Sequence, residues 1–133
     1  MSNHKFPSYY PEGCPPVDAQ PERLTAYRLC ESRKVSPSDF IPVALKTKRK
    51  ISPRKKLIQA YGVSVFTDVE GCQQAINVSP KLRHIVSCIA CGEIDEDKGV
   101  IKKTPSCTSN SHVTWWVYED VQPHTFFHFI QDL

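Results

Sequence analysis

The chemically capable side chains of this chain gather near its C-terminal end. Three of the five histidines, both tryptophans and three of the six phenylalanines fall between Ser111 and Ile130. Within that stretch His112, Thr114 and Glu119 offer an imidazole, a hydroxyl and a carboxylate, groups able to exchange protons. Cys88 and Cys91 form a CxxC, with His84, Cys107 and His112 as candidate further ligands. A structural zinc ion needs four such groups in tetrahedral array. Alternation along a strand puts Cys88 and Cys91 on opposite faces, so no metal is expected.

Hydrolytic signatures are thin. A thiol paired with His112 or His124 lacks a nucleophile elbow. His112-Val113-Thr114-Trp115 supplies one half of a two-histidine phosphoesterase motif, and the second copy is missing. Neither a Gly-rich phosphate loop nor HExxH occurs.

The elements that must position these groups follow from residue pattern. Val113 to Tyr118 is rich in β-branched and aromatic side chains and reads as a strand. Its period of two places Val113, Trp115 and Val117 on one face and His112, Thr114, Trp116 and Tyr118 on the other. A turn through Glu119, Asp120 and Pro123 leads to a second strand, in which Thr125, Phe127 and Phe129 alternate with Phe126, His128 and Ile130. Upstream, Leu24 to Cys30 reads as a strand with Arg28 in its apolar run. A buried guanidinium there needs a carboxylate, a carbonyl or an anionic ligand. Ser36-Pro37-Ser38-Asp39 has the form of a helix start, which Pro42 limits to about a turn. Tyr61 to Thr67 is the next strand, with Ser64 and Phe66 on one face. Thr67 and Glu70 match a capping box, and Val69, Cys72 and Ile76 continue at helical spacing towards Pro80. His84 to Ile94 fits a strand covered on both faces. Asp95 to Gly99 then turns the chain into Val100 to Lys103 as a hairpin.

Composition sets the outer limits. The chain has 133 residues, 40% of them hydrophobic and 23% charged, as in a soluble globular domain. No run approaches the roughly 20 apolar residues that span a bilayer, and the N-terminus lacks a secretory pattern, so no membrane contact and a cytoplasmic location are expected. The cysteines then read as free thiols, several of them in the core. Residues 1–21 hold five of the eleven prolines and read as an extended arm over a single α+β domain at 22–133, with Phe6, Tyr9 and Tyr10 as anchors. Residues 46–56 carry seven of the seventeen basic side chains, and the rest of the chain bears a net charge of −4. This basic loop, with Lys46, Lys48, Arg49, Lys50, Arg54, Lys55 and Lys56, is suited to contact with an acidic protein or a nucleic-acid backbone. It has no aromatic residue interleaved for base stacking.

The order of these parts resembles the ADP-ribosyltransferase fold over residues 24–130. A first strand with Arg is similar to TAYRLC and its Arg28. A strand with Ser and a following helix resembles GVSVFTD, with Ser64 and Phe66. IVSCIACGEI looks like the family's apolar strand. WVYEDVQP resembles its closing Tyr-rich strand, acidic turn and Gln-x-x-Pro, through Tyr118, Gln122 and Pro123. The position of the family's catalytic Glu is Thr114 here, and Glu119 stands five residues later. The resemblance implies a twisted, mostly antiparallel sheet of about six strands with one or two short helices. It implies a nucleotide ligand, NAD as co-substrate, and glycosyl transfer by a toxin or a defence-related modifier. Arg28, Ser64, Phe66, Trp116 and Tyr118 would hold the cofactor, and His112, Thr114 and Glu119 would carry chemistry. A cleft lined by Arg28, Ser64, His112, Thr114 and Trp116 is expected. The alternative is a non-enzymatic interaction module acting through residues 46–56.

Overall fold

The computed structural model describes residues 4–48, 50–106 and 109–133. Six strands form one sheet: β1 (Leu24–Cys30), β2 (Val63–Phe66), β3 (Cys88–Ile94), β4 (Gly99–Lys103), β5 (His112–Val117) and β6 (His128–Asp132). Their order is β4-β5-β2-β1-β3-β6, and every neighbouring pair is antiparallel. Four short helices accompany them: α1 (Val43–Lys46), α2 (Arg54–Ala60), α3 (Val69–Val78) and α4 (Pro80–Ile85). Single 3₁₀ turns occupy Pro37–Phe40 and Pro123–Thr125. The fold is therefore α+β with a six-stranded antiparallel sheet, and it has more helices than the one or two expected.

The strand order forces the sheet to roll. β3 and β4 are four strand spacings apart, about 19 Å in a flat sheet. The link between Ile94 and Gly99 reaches about 17 Å when fully extended. The two halves of the sheet must curl towards each other, and the side chains record the curl. Trp115 on β5 stacks on Phe127, which lies just before β6, with ring centroids 5.8 Å apart. Phe40 meets the same ring at 5.1 Å. A Cβ at Gly92 would stand 2.6 Å from Phe127, so this glycine gives the ring its seat on β3. Gly99 has φ +142°, and a side chain there would collide with the Trp116 carbonyl, so the sharp entry into β4 needs glycine.

The concave face holds one core, in which Ala26, Val65, Ala90, Ile94 and Trp115 have no exposed surface. The convex face has two covers. α3 lays Cys72, Ala75 and Ile76 over Leu29, Phe66 and Ile89. The N-terminal arm and α2 cover the other half, where Phe6, Tyr10 and Ile58 pack around Trp116 and Val100. Gln20 closes the β4 edge by exchanging backbone hydrogen bonds with Ile101 at 2.8 and 2.9 Å.

Several expectations are corrected. The hairpin from β3 into β4 does not form, because β4 pairs with β5, from which the loop ending at Ser111 returns it. α3 is capped by Asp68, whose carboxylate accepts from Gly71 N at 2.7 Å, rather than by Thr67. His84 and Ile85 belong to α4, which Ser79 caps with Pro80 in the first turn, and the strand begins only at Cys88. Thr125 lies in a turn, so the last strand starts at His128. The basic segment is not all loop: Lys46 ends α1, and Arg54, Lys55 and Lys56 open α2. Arg49 and Cys107 lie outside the described residues. Among the described residues, no helix is long and apolar enough to cross a membrane.

If the Trp115–Phe127 stack holds the roll, Phe127→Ala should lower the unfolding free energy by about 3–5 kcal/mol in urea titration. Phe129→Ala, at the exposed end of the sheet, should cost less than about 1 kcal/mol. Equal effects would show that Phe127 is not the closing contact.

Candidate functional site

Pattern reasoning groups Arg28, Ser64, His112, Thr114 and Trp116 in one cleft; the fold sets Arg28 on the concave side and keeps Ser64, His112, Thr114 and Trp116 together on the convex face. Arg28 points to the concave side with Ala26 and Cys30. Its Nε and one terminal nitrogen donate to the Asp39 carbonyl at 2.9 and 2.8 Å, and the other donates to the Ser64 carbonyl at 2.8 Å. Burial lowers the Arg28 pKa. The guanidinium is a clamp joining β1, β2 and the 3₁₀ turn at Phe40. The Asp39 carboxylate tightens the same corner by accepting from Glu31 N and Ser36 N, each at 3.0 Å.

Trp116 is 1% exposed beneath the arm and α2, and its Nε1 donates to the Ile58 carbonyl at 3.1 Å. No face of that ring is open to a ligand. Phe66 is likewise buried, under α3. Ser64 shares the convex face with Phe66, beside Thr114 in register.

His112 and Thr114 do come together, through Thr104. The Thr104 hydroxyl lies 2.7 Å from His112 Nδ1 and 2.8 Å from the Thr114 hydroxyl. His112 also meets the Thr104 carbonyl at 3.1 Å and stands edge-on to Phe66 at 5.4 Å. Thr114 is 1% exposed and His112 and Thr104 are half-buried, so the three form a partly covered hydrogen-bond cluster. Burial holds the His112 pKa below 6.5.

Cys88 packs into the concave core, whereas Cys91 leans towards Tyr27 on the opposite face. Among the described residues, no group of three or more His, Cys, Asp or Glu is placed to hold a metal ion. The described cysteines are free thiols, and burial raises Cys30 and Cys72 to about 12, which keeps them protonated and inert.

Tyr118 and Glu119 have a different setting. They leave the end of β5 into a cleft of about 450 Å³ walled by Tyr9, Tyr10, Tyr61, Phe40 and His124. Four separate elements build it. Tyr10 N donates to the Pro7 carbonyl at 3.2 Å, a turn that presents Tyr9 and Tyr10 side by side. Tyr61 caps the C-terminus of α2, and its ring lies 6.1 Å from Tyr9 and 6.0 Å from Tyr10. Phe40 comes from the turn that Arg28 clamps. His124 comes from the 3₁₀ turn preceding Phe127. Tyr118 is stacked on His4 at 4.3 Å, and Glu119 N donates to the Lys5 carbonyl at 2.9 Å, so the arm fixes both residues. Glu119 is exposed at the mouth, the sole carboxylate among the lining residues.

A larger hollow of about 930 Å³ lies beside β3 and β6, with Glu93, Asp95, Asp97 and Asp120 around it. It is wide open, Asp95 is engaged by Arg23 at 3.6 Å, and Asp97 by Lys98 at 3.4 Å. Its lining sets four carboxylates against one lysine, Lys98, so its field is negative. The sequence points to Tyr9 and Tyr10 only as arm anchors and to His124 only as a partner for a thiol, and it does not mark Phe40 or Tyr61, because these residues converge only in three dimensions. The Tyr-Tyr pair within a proline-rich arm was the one local signal. No family model, curated protein or solved structure matches the chain.

The His112 cluster gives a pH prediction. With the folded pKa depressed below the unfolded value, the unfolded state binds more protons, so stability falls as pH drops below about 6.5. Urea titrations at pH 7.5 and pH 5 should show a larger loss for the native chain than for His112→Gln. Identical losses would place the imidazole in water.

Proposed function

We propose that this chain is an ADP-ribosyltransferase-like protein that binds NAD or a related nucleotide in the tyrosine-lined cleft. The observation that carries this reading is the meeting of Tyr9, Tyr10 and Tyr61 opposite Tyr118 and Glu119. Tyrosine faces suit a planar nicotinamide or adenine ring, and each stacked base is worth about 1–3 kcal/mol. A carboxylate at the mouth accepts hydrogen bonds from ribose hydroxyls, and it favours positive charge developing on a sugar ring. Glu119 takes that part in place of the carboxylate missing at Thr114. The resemblance assigns Arg28 to the phosphates or the ribose, but its donors are spent on backbone carbonyls. Among the described residues, no lysine or arginine lines the cleft. The grip on the nucleotide therefore falls on rings and hydroxyls, and the phosphates are left outside the cleft. NAD supplies a ribose that can be transferred from nicotinamide. The residues here bind its ring, hold its hydroxyls and shield the ring from water.

Thermal unfolding with NAD, ADP-ribose and ATP tests this reading. A ligand present at about 100 times its Kd adds about 2.7 kcal/mol, a rise in Tm of roughly 10 °C for a domain of this size. Tyr61→Ala should remove most of that rise, and Glu119→Gln should weaken NAD and ADP-ribose alike. No stabilisation by any of the three, or a rise unchanged in Tyr61→Ala, would refute a nucleotide site in this cleft.

A further inference from the structure

The basic segment and the cleft are one continuous surface. Pro42, in the cleft wall, leads directly into α1, and Tyr61, in the opposite wall, ends α2. α1 packs against α2, so residues 43–48 and 50–60 form a flap rooted at both ends in the rim of the cleft. Lys46, Lys48, Lys50, Arg54, Lys55 and Lys56 are all exposed on it. None of the six forms an ion pair with a described carboxylate. Arg54 donates to the Glu12 carbonyl, and Lys55 feels Asp18, which leaves Lys46, Lys48, Lys50 and Lys56 as the outward-facing charges. Val43 and Leu45 stand 56% and 47% exposed between them and the cleft wall.

Along the chain, the basic run lacks the aromatic residues that a single-strand binder uses for stacking. The fold supplies them: Tyr61 follows α2 directly, and Tyr9 and Tyr10 lie against it. A cationic track ending at a ring-lined cleft has the two parts of a single-strand surface, one for phosphates and one for bases. A duplex keeps its bases stacked inside and cannot present one to this cleft.

We propose that residues 43–48 and 50–60 bind the phosphodiester backbone of a single-stranded nucleic acid and bring an unpaired base to the tyrosine-lined cleft. The base-binding half rests on the reading of the cleft as a nucleotide site. The phosphate-binding half rests on the lysines alone. The strand is then the macromolecular partner of the same site that takes NAD, and the two compete for its rings.

Fluorescence anisotropy with a fluorescein-labelled 20-nucleotide oligo-dT tests this between 50 and 200 mM NaCl, with a duplex of equal length and anionic vesicles alongside. About four neutralised phosphates give a slope of roughly −3 in log K against log salt. Replacing Lys46, Lys48, Lys50 and Lys56 with Ala should weaken binding at least tenfold and flatten that slope, with the NAD-induced rise in Tm unchanged. The matching four Lys→Arg replacements should retain both affinity and slope. Tyr61→Ala should weaken binding about 5- to 150-fold at an unchanged slope, and saturating NAD should do the same to the native chain. Nucleotide stabilisation without oligonucleotide binding would overturn this proposal and leave the cleft reading intact. Equal affinity for duplex, affinity indifferent to Tyr61→Ala, or binding to vesicles alone would also overturn it.

Discussion

A single aromatic contact sets the shape of this molecule. Trp115 and Phe127 come from opposite halves of the sheet, and their rings stack at 5.8 Å. In a flat sheet the strands beside them would be far out of reach. The contact exists because β3 passes directly to β4 through a link too short to cross an open sheet. Gly92 and Gly99 remove the two side chains that would block the roll. Burying two large rings with no exposed edge repays the curvature, since each removes 150 Å² or more from water. The other features of the concave face, including the small residues Ala26 and Ala90 beneath the rings, follow from that packing.

The candidate site is a by-product of the same closure. Rolling the sheet brings the end of β5, with Tyr118 and Glu119, beside the turn that feeds Phe127 into the core. Arg28 then pins a third piece by holding the Asp39 carbonyl, which places Phe40 against both Phe127 and the cleft. The arm adds the fourth wall and keeps Trp116 dry beneath it. Charged and apolar roles thus divide cleanly. The guanidinium and the buried tryptophan position the walls, whereas tyrosines and one carboxylate line the cleft. The lysines of α1 and α2 hang from its rim.

Much of the sheet was legible in the sequence. Alternation at Val113, Trp115 and Val117 marks the concave face correctly, and the short helix start at Ser36 rests on a capping pattern that Asp39 completes. What covers the second face was not legible. Trp116 shares a face with His112 and Thr114, and such a face looks open until an arm more than 90 residues away in sequence lies on it. The hairpin error has the same origin. Asp95 to Gly99 has hairpin composition, and only the pairing of β4 with β5 shows that the turn spans the molecule instead. Pro80 reads as a helix end, and the apolar run that follows hides both the new helix it opens and the break at Val86. Of the site, Tyr118 and Glu119 are named only through the resemblance of the closing strand and its acidic turn. Tyr9, Tyr10 and Tyr61 could not be assigned to it, because no local spacing joins an N-terminal arm to the end of α2.

The claim on which this account rests is that the sheet closes on itself through Trp115 and Phe127, and that closure assembles the tyrosine walls. A nuclear Overhauser spectrum of the labelled protein measures it directly. The account predicts cross-peaks between the Trp115 indole and the Phe127 ring, together with cross-peaks from Tyr61 to Tyr9 and Tyr10. A Trp115 indole that shows contacts only to its strand neighbours Val63 and Ile101, with Tyr61 isolated from the arm, would contradict it.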